Sequence, residues 1–143
     1  METYFEISES GNKVRVDVTE FIKPDSFWLR SKVTVKAGVF SGEYFVDFEA
    51  SFFESFKEKV SDLYDNFSGG AMFYDDNNHL EIRIYGIGGG HFAVDVKAND
   101  NPYDGGYLSF KMNIDQTYIM PLVKSLNAII EAFPVSAKLK KGT

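Results

Sequence analysis

Two periodicities of apolar residues alternate along this chain, and both are clearest between residues 107 and 133. Every second residue from Leu108 to Ile114 is apolar, which predicts a strand with one buried face. The spacing then changes to three and four, which predicts a helix with a single apolar stripe: Ile119, Leu122, Val123, Leu126, Ile129, Ile130 and Phe133. Because both apolar faces must be buried, we expect this helix to fold back across a sheet.

The same alternation predicts seven earlier strands, at residues 4–8, 14–18, 29–36, 40–48, 71–74, 80–85 and 92–97. A first helix is predicted between the fourth and fifth strands, where Phe53, Phe56, Val60, Leu63, Tyr64 and Phe67 recur at helical spacing. Ser51 and Glu54 have the spacing of a capping box at its start, and Gly69 supplies a stop. Pro121 is tolerated only in a first turn, so the second helix should begin at Ile119 or Met120.

These elements predict an α+β fold: one mostly antiparallel sheet of about six to eight strands, with both helices packed on one face. Residues 1–134 are expected to form a single domain, and residues 135–143 a flexible basic tail. Since the chain contains 14 Phe and 8 Tyr, its core should be built on large aromatic rings.

The amino-acid composition and charge of the chain exclude several classes of function. The absence of cysteine excludes disulfides, thiol nucleophiles and thiolate metal sites. The sequence shows neither a signal peptide nor a membrane span, so we expect a cytoplasmic protein with no membrane partner. The formal charge is −6, and it becomes −9 without Lys138, Lys140 and Lys141 near the end of the chain. A protein with this negative charge should repel nucleic acid and attract basic proteins. The alternative is that the acidity serves only to keep the protein soluble.

Two motifs resemble ligand loops and are better explained as turns. The glycines from Gly86 to Gly90 are followed by a strand, whereas a phosphate loop requires the N-terminus of a helix. The segment from Asp75 to His79 begins like a calcium loop, but the required glycine at position six and glutamate at position twelve are missing. We therefore predict a hairpin or bulge for the first motif, an Asx-type turn for the second, and no metal or cofactor.

Acid–base chemistry by His91 with Asp115 is conceivable, since both lie near strand ends, and Gln116 would line a pocket beside them. Asp115 and Gln116 also have a structural explanation, because short polar side chains cap a helix at a strand-to-helix corner. A structural hydrogen bond is favoured for His91 over partner contact or catalysis. No catalytic residue is predicted from the sequence.

Two acidic loops are the best candidates for partner binding. Asp75 and Asp76 lie in one predicted loop, and Asp100, Tyr103 and Asp104 lie in another. Carboxylates beside an exposed aromatic ring suit a basic protein surface, with ordinary turn chemistry as the alternative.

Several segments together resemble the WapI-type immunity proteins: Phe40-Ser-Gly-Glu-Tyr44, Leu63-Tyr64, Ser68-Gly69, Gly90-His91, Leu108-Ser-Phe110 and Asp115-Gln-Thr-Tyr118. The resemblance spans Leu29 to Phe133 and leaves out the first 28 residues and the tail. Its motif residues Gly42, Gly90, His91, Asp115 and Gln116 are expected to be structural. Members of this family are small bacterial cytosolic proteins, often encoded beside contact-dependent toxins.

The resemblance implies a non-enzymatic immunity protein that binds and neutralises a cognate toxin, commonly a basic nuclease. The alternative is a small ligand-binding domain or enzyme with a pocket near His91, Asp115 and Gln116. The sequence does not identify the toxin, the binding surface or the oligomeric state.

Overall fold

The computed structural model describes residues 3–22, 27–66 and 69–135, and this part of the chain contains eight strands and two α-helices. In chain order the elements are β1 (Tyr4–Glu9), β2 (Asn12–Phe21), β3 (Trp28–Ala37), β4 (Phe40–Glu49), α1 (Ala50–Asn66), β5 (Gly70–Tyr74), β6 (Leu80–Gly88), β7 (His91–Asn99), β8 (Tyr107–Asp115) and α2 (Ile119–Ala132). The predicted α+β class is confirmed. Phe67, Ser68 and the predicted tail beyond Val135 lie outside the described residues.

The strands form two antiparallel sheets of four, where the sequence predicted one sheet. Their orders are β1-β2-β3-β4 and β5-β6-β7-β8, so each sheet is a simple meander. Helix α1 separates β4 from β5, and β5 begins a new sheet instead of extending the first. The apolar alternation specifies which face of a strand is buried, but it carries no information on whether β4 and β5 pair.

Each helix packs against the other helix and against the sheet from the other half of the chain. Helix α1 lies on β5, and α2 lies on β1. The predicted stripe of α2 is buried at Ile119, Leu122, Val123, Leu126 and Ile129. The helix begins at Ile119, as the position of Pro121 predicts.

The predicted capping box of α1 is wrong. The helix already begins at Ala50, whose amide donates to the carbonyl of Phe27, so Ser51 lies within its first turn. The Ser51 hydroxyl donates instead to the Glu49 carboxylate. The start of α1 is fixed by the segment preceding β3, which local spacing does not reveal.

The core is one aromatic-rich cluster shared by both sheets and both helices. The ring of Phe73 in β5 is central: it lies 5.6 Å from Phe5, 5.0 Å from Phe48, 5.2 Å from Phe53 and 5.6 Å from Phe56, measured between centroids. Most of these pairs have the edge-to-face geometry that aromatic rings prefer. The prediction of a core built on rings rather than on aliphatic side chains is only partly right: six phenylalanines of the described chain are buried, but most of its buried residues are Val, Ile, Leu or Ala.

The connections of the second sheet lie at opposite ends of its strands. The β5–β6 and β7–β8 loops, residues 75–79 and 100–106, are at one end, and the bulged β6–β7 hairpin is at the other. Gly88, Gly89 and Gly90 of that hairpin have positive φ values, which confirms the predicted turn. Neither described helix is long and apolar enough to cross a bilayer.

Candidate functional site

The two acidic loops converge on one groove at the end of the second sheet. The groove encloses about 430 Å³ and is lined by Asp76, Asn77, Asn78, His79, Asp100, Asn101, Pro102 and Tyr103. Tyr103 is 97% exposed, so its ring is available to a partner. Antiparallel pairing causes this convergence, because β6 and β7 are neighbours and the two loops flank them at the same end.

Asp75 occupies a different position from the other acidic residues, since its side chain is buried. Its Oδ1 accepts the amides of His79 at 2.8 Å and Leu80 at 3.0 Å, and Oδ2 lies 2.9 Å from Nδ1 of His79. A carboxylate that accepts successive amides holds its loop in one shape. These amides lie four and five residues on, whereas an Asx turn uses the amide two residues on, so the turn is not of the predicted Asx type. Asp75 therefore supports the loop, and Asp76 presents its charge at the surface.

The second loop is braced by its own polar groups. The Asp100 carboxylate accepts the amide of Gly106 at 2.6 Å, and the side chain of Asn101 accepts the amide of Tyr103 at 3.1 Å. The Gly105 amide donates to the carbonyl of Asn101 at 2.7 Å. These bonds reduce the conformational entropy that a partner would have to remove on binding.

Tyr44 connects the first sheet to both loops. Its hydroxyl donates to the carbonyl of His79 over 2.5 Å, and the Asn99 amide donates to the same carbonyl over 3.0 Å. Burial raises the pKa of Tyr44 above its ordinary value of 10.0, and the nearby carboxylates of Asp75 and Asp100 add to the rise. The hydroxyl therefore remains a neutral hydrogen-bond donor at physiological pH.

The surface carboxylates of the loops are not neutralised within the described chain. Across residues 3–22, 27–66 and 69–135, the ion pairs of lysine and arginine involve Glu6, Asp17, Glu20, Glu43, Glu81 and Asp95, and none reaches Asp76, Asp100 or Asp104. The groove thus presents uncompensated negative charge beside an exposed ring. Such a surface favours a cationic ligand.

A second groove adjoins the first at Asp100, which lines both. It encloses about 320 Å³ between β4 and the start of β8, and its walls include the exposed rings of Phe40 and Tyr107. Gly42 lies beside these rings on β4, which is an edge strand of the first sheet. The sequence predicts Gly42 only as a structural motif residue, and it does not single out Phe40, Tyr44 or Tyr107 as site residues. The available signal was the aromatic character of Phe40 and Tyr107 at the starts of strands, whereas Tyr44 lies in the middle of β4 and is partly buried.

His91, Asp115 and Gln116 do not line a common pocket. His91 and Asp115 pair across β7 and β8 and share a shallow groove, whereas Gln116 lines a separate groove with Tyr64. The Asp115 carboxylate accepts the amide of Thr117 at 2.9 Å and also its hydroxyl, and it caps a short 3₁₀ helix at Gln116–Tyr118. These hydrogen bonds from Thr117 lower the pKa of Asp115.

Hydrogen bonds of the Asp115 carboxylate and of the Gln116 main chain hold the corner before α2. The Gln116 amide donates to the carbonyl of Gly90 at 2.9 Å, and the Gln116 side chain lies against that glycine. Because the polar groups of Asp115 and Gln116 serve this corner, the structure does not favour a pocket for acid–base chemistry there. The described residues contain no group of three or more histidine, aspartate and glutamate side chains placed to hold a metal ion.

Two solved structures have the same fold at low sequence identity. The crystal structure of WHY1 from Arabidopsis thaliana is similar over 96% of this chain and 93% of its own, with a TM-score of 0.54 and 12% identity. The MRP1/MRP2 crystal structures from Trypanosoma bruciei are similar over 96% of this chain and 89% of theirs, with a TM-score of 0.55 and 9% identity. At such identities the likeness concerns the fold alone.

The family comparison is more specific. No curated protein matches the chain. The model of the immunity protein WapI-like family matches residues 5–134. This match includes the β1–β2 hairpin, which the residue-level resemblance left out, and it ends where the predicted tail begins. Since it covers nearly the whole sequence, the chain belongs to the WapI-like family of immunity proteins.

Proposed function

We propose that this chain is a non-enzymatic immunity protein that acts in the bacterial cytoplasm by binding a cognate toxin domain and blocking it. The observation that carries the proposal is the convergence of two acidic loops on one groove, in a chain of an immunity family. The proposed contact residues are Asp76, Asp100, Tyr103 and Asp104. Asp75 holds the loop beneath them.

A basic, nuclease-type toxin is the partner that fits this surface. Enzymes that act on nucleic acid carry positive charge where the phosphate backbone binds. The carboxylates of this groove form no lysine or arginine ion pair with the described residues, so the groove attracts such a surface, accelerates the encounter and places carboxylates against its lysine and arginine side chains. Covering that surface excludes the nucleic acid, so inhibition requires no chemical step by the immunity protein.

The test first identifies a toxin domain among the genes adjacent to that of this chain and makes it as a catalytically inactive variant. Calorimetry at several salt concentrations measures its affinity for the wild-type chain and for a triple variant, Asp76→Asn, Asp100→Asn and Asp104→Asn. We expect about 10-fold or greater loss of affinity in the triple variant and a weaker salt dependence, since charge pairs across an interface are worth about 1.5 kcal/mol or more.

A matched control neutralises three exposed carboxylates elsewhere. Glu58→Gln, Asp62→Asn and Asp65→Asn on α1 change the net charge by the same amount at a distance from the groove. If the two triple variants bind equally well, the acidic loops are not the contact surface. If the wild-type chain neither binds the toxin nor inhibits its active form, the proposed function is wrong.

A further inference from the structure

The groove between β4 and β8 is shaped by a glycine that the fold itself does not require. Gly42 lies within β4, has no left-handed φ, and pairs with Val35 in a register that runs from Trp28 to Ala37 without a bulge. A Cβ added at position 42 would meet nothing within 4 Å. Neither backbone geometry nor packing therefore explains the glycine.

A glycine inside a strand weakens that strand, because it adds backbone entropy to the unfolded chain and contributes no side chain to the sheet. Apart from bulges and bends, such a glycine marks a place where another molecule approaches the backbone closely. Gly42 is exposed on the edge strand, so its open side is accessible to a partner.

The chemistry of the groove indicates what it accepts. Its floor is apolar, formed by Val35 and Ala98, which are each 3% exposed, together with the partly buried Leu108. The exposed rings of Phe40 and Tyr107 line its sides. A flexible aliphatic stem fits an apolar floor between two rings, and a cation is attracted to the face of a ring.

Negative charge lies at the rim of the same groove. Asp100 lines it and has no lysine or arginine ion pair among the described residues. Glu43 also lines it, 3.6 Å from Lys32, and its side chain is 64% exposed. We infer that the space over Gly42 receives a single lysine or arginine side chain of the toxin, with its stem over Val35 and its cationic head at Asp100. This inference rests on the proposed function.

A second copy of this chain fits the groove less well. Strand β4 carries Glu43, Asp47 and Glu49 and no basic residue, so pairing two β4 edges would bring like charges together in a chain of net charge −6. A basic toxin presents the complementary charge along the same edge.

The experiment fills the groove with a larger side chain of the protein itself. Gly42→Leu places a branched side chain in the space over Val35, and the inactive toxin domain from the neighbouring gene is the probe. Calorimetry should show about 10-fold or greater loss of affinity, because a filled anchor pocket removes a central contact. The urea midpoint of Gly42→Leu should equal or exceed that of the wild-type chain, which separates lost binding from lost folding.

Two further variants identify the occupant. Gly42→Ala should weaken binding less than Gly42→Leu. Gly70→Ala is its control, because Gly70 also lies in a strand without a left-handed φ and an added Cβ there makes only ordinary contacts. Asp100→Asn should weaken binding and reduce its salt dependence, as expected when a cationic head is held at the rim. Unchanged affinity and salt dependence in Asp100→Asn would overturn the cationic assignment.

The outcomes distinguish a failure of this inference from a failure of the proposed function on which it rests. If the wild-type chain binds the toxin and Gly42→Leu binds within about 2-fold of it, the groove is not an anchor site, and the proposed function stands. If the wild-type chain does not bind at all, both fail. If sedimentation shows a wild-type dimer that Gly42→Leu converts to a monomer, the occupant is a second copy and the inference is wrong.

Discussion

The hydroxyl of Tyr44 lies 2.5 Å from the main-chain carbonyl oxygen of His79 and donates a hydrogen bond to it. This contact joins β4 of the first sheet to the loop that precedes β6 of the second. Because the same carbonyl accepts the Asn99 amide at 3.0 Å, one oxygen atom connects the first sheet with the end of the first acidic loop and the start of the second. The relative placement of the two proposed binding grooves depends on it.

Replacing Tyr44 by phenylalanine should lower the free energy of unfolding by about 1 kcal/mol, the usual net contribution of one buried hydrogen bond. The loss should be no larger, since the carbonyl of His79 keeps its bond to Asn99. Urea unfolding, followed by fluorescence, measures this loss in the free energy of unfolding. Tyr74→Phe is the control: Tyr74 is 53% exposed, and its variant should unfold within about 0.5 kcal/mol of the wild type. Equal losses in both variants would show that the Tyr44 bond is not specifically stabilising.

The raised pKa of Tyr44 predicts a loss of stability in alkali. The unfolded chain releases this proton near the ordinary pKa of 10.0, whereas the folded chain retains it to higher pH. The contribution is therefore fully present below pH 10.0 and is lost as the pH rises through the folded pKa. Urea unfolding at increasing pH should show a steeper decline for the wild-type chain than for Tyr44→Phe. Parallel curves for the two proteins would contradict this assignment.

The adjacent residues Asp75 and Asp76 should respond in opposite ways to substitution. Asp75→Ala leaves two amides and a histidine without their buried acceptor, so it should destabilise the fold by about 2 to 3 kcal/mol. Asp76→Ala changes an exposed side chain and should alter stability by less than about 0.5 kcal/mol. Thermal unfolding measures both effects. Toxin affinity, measured on the folded proteins, should fall in Asp76→Ala. If Asp76→Ala destabilises the chain as much as Asp75→Ala does, the division of roles between the two carboxylates is wrong.

The sequence predicted the buried face of nearly every element, since burial follows directly from periodicity. In the predicted stripe of α1, Phe53, Phe56, Val60 and Leu63 are buried, whereas Tyr64 is exposed. The periodicity of β5 also predicts a buried side chain for Asp75. Asp75 follows Ala71 and Phe73 at a period of two, so its side chain continues the inward face of β5. Because Asp75 lies in a predicted acidic turn, its carboxylate was expected at the surface, although its register with β5 places it in the interior.

Contacts between distant segments could not be predicted in this way. The division into two sheets, the Tyr44 bond to His79 and the open groove over Gly42 each depend on how β4 faces the second half of the chain. No local pattern encodes that arrangement. The convergence of the acidic loops was accessible in principle, because neighbouring antiparallel strands bring alternate loops to the same end of a sheet.

The Glu9 carboxylate at the end of β1 accepts the amide of Asn113 in β8 at 2.9 Å, so it joins the two sheets at an edge. This bond, with a smaller contribution from the Ser10 hydroxyl, lowers the pKa of Glu9 below its ordinary value of 4.5. A lowered pKa stabilises the fold above 4.5, and the contribution is lost as the pH falls through the folded value. Glu9→Gln should therefore unfold at a lower temperature than the wild type at neutral pH, and the two melting temperatures should converge in acid. Calorimetric melting across that range tests this, with Glu58→Gln on α1 expected to follow the wild-type curve. A gap between Glu9→Gln and the wild type that stays constant with pH would show that the carboxylate does not hold the two sheets together.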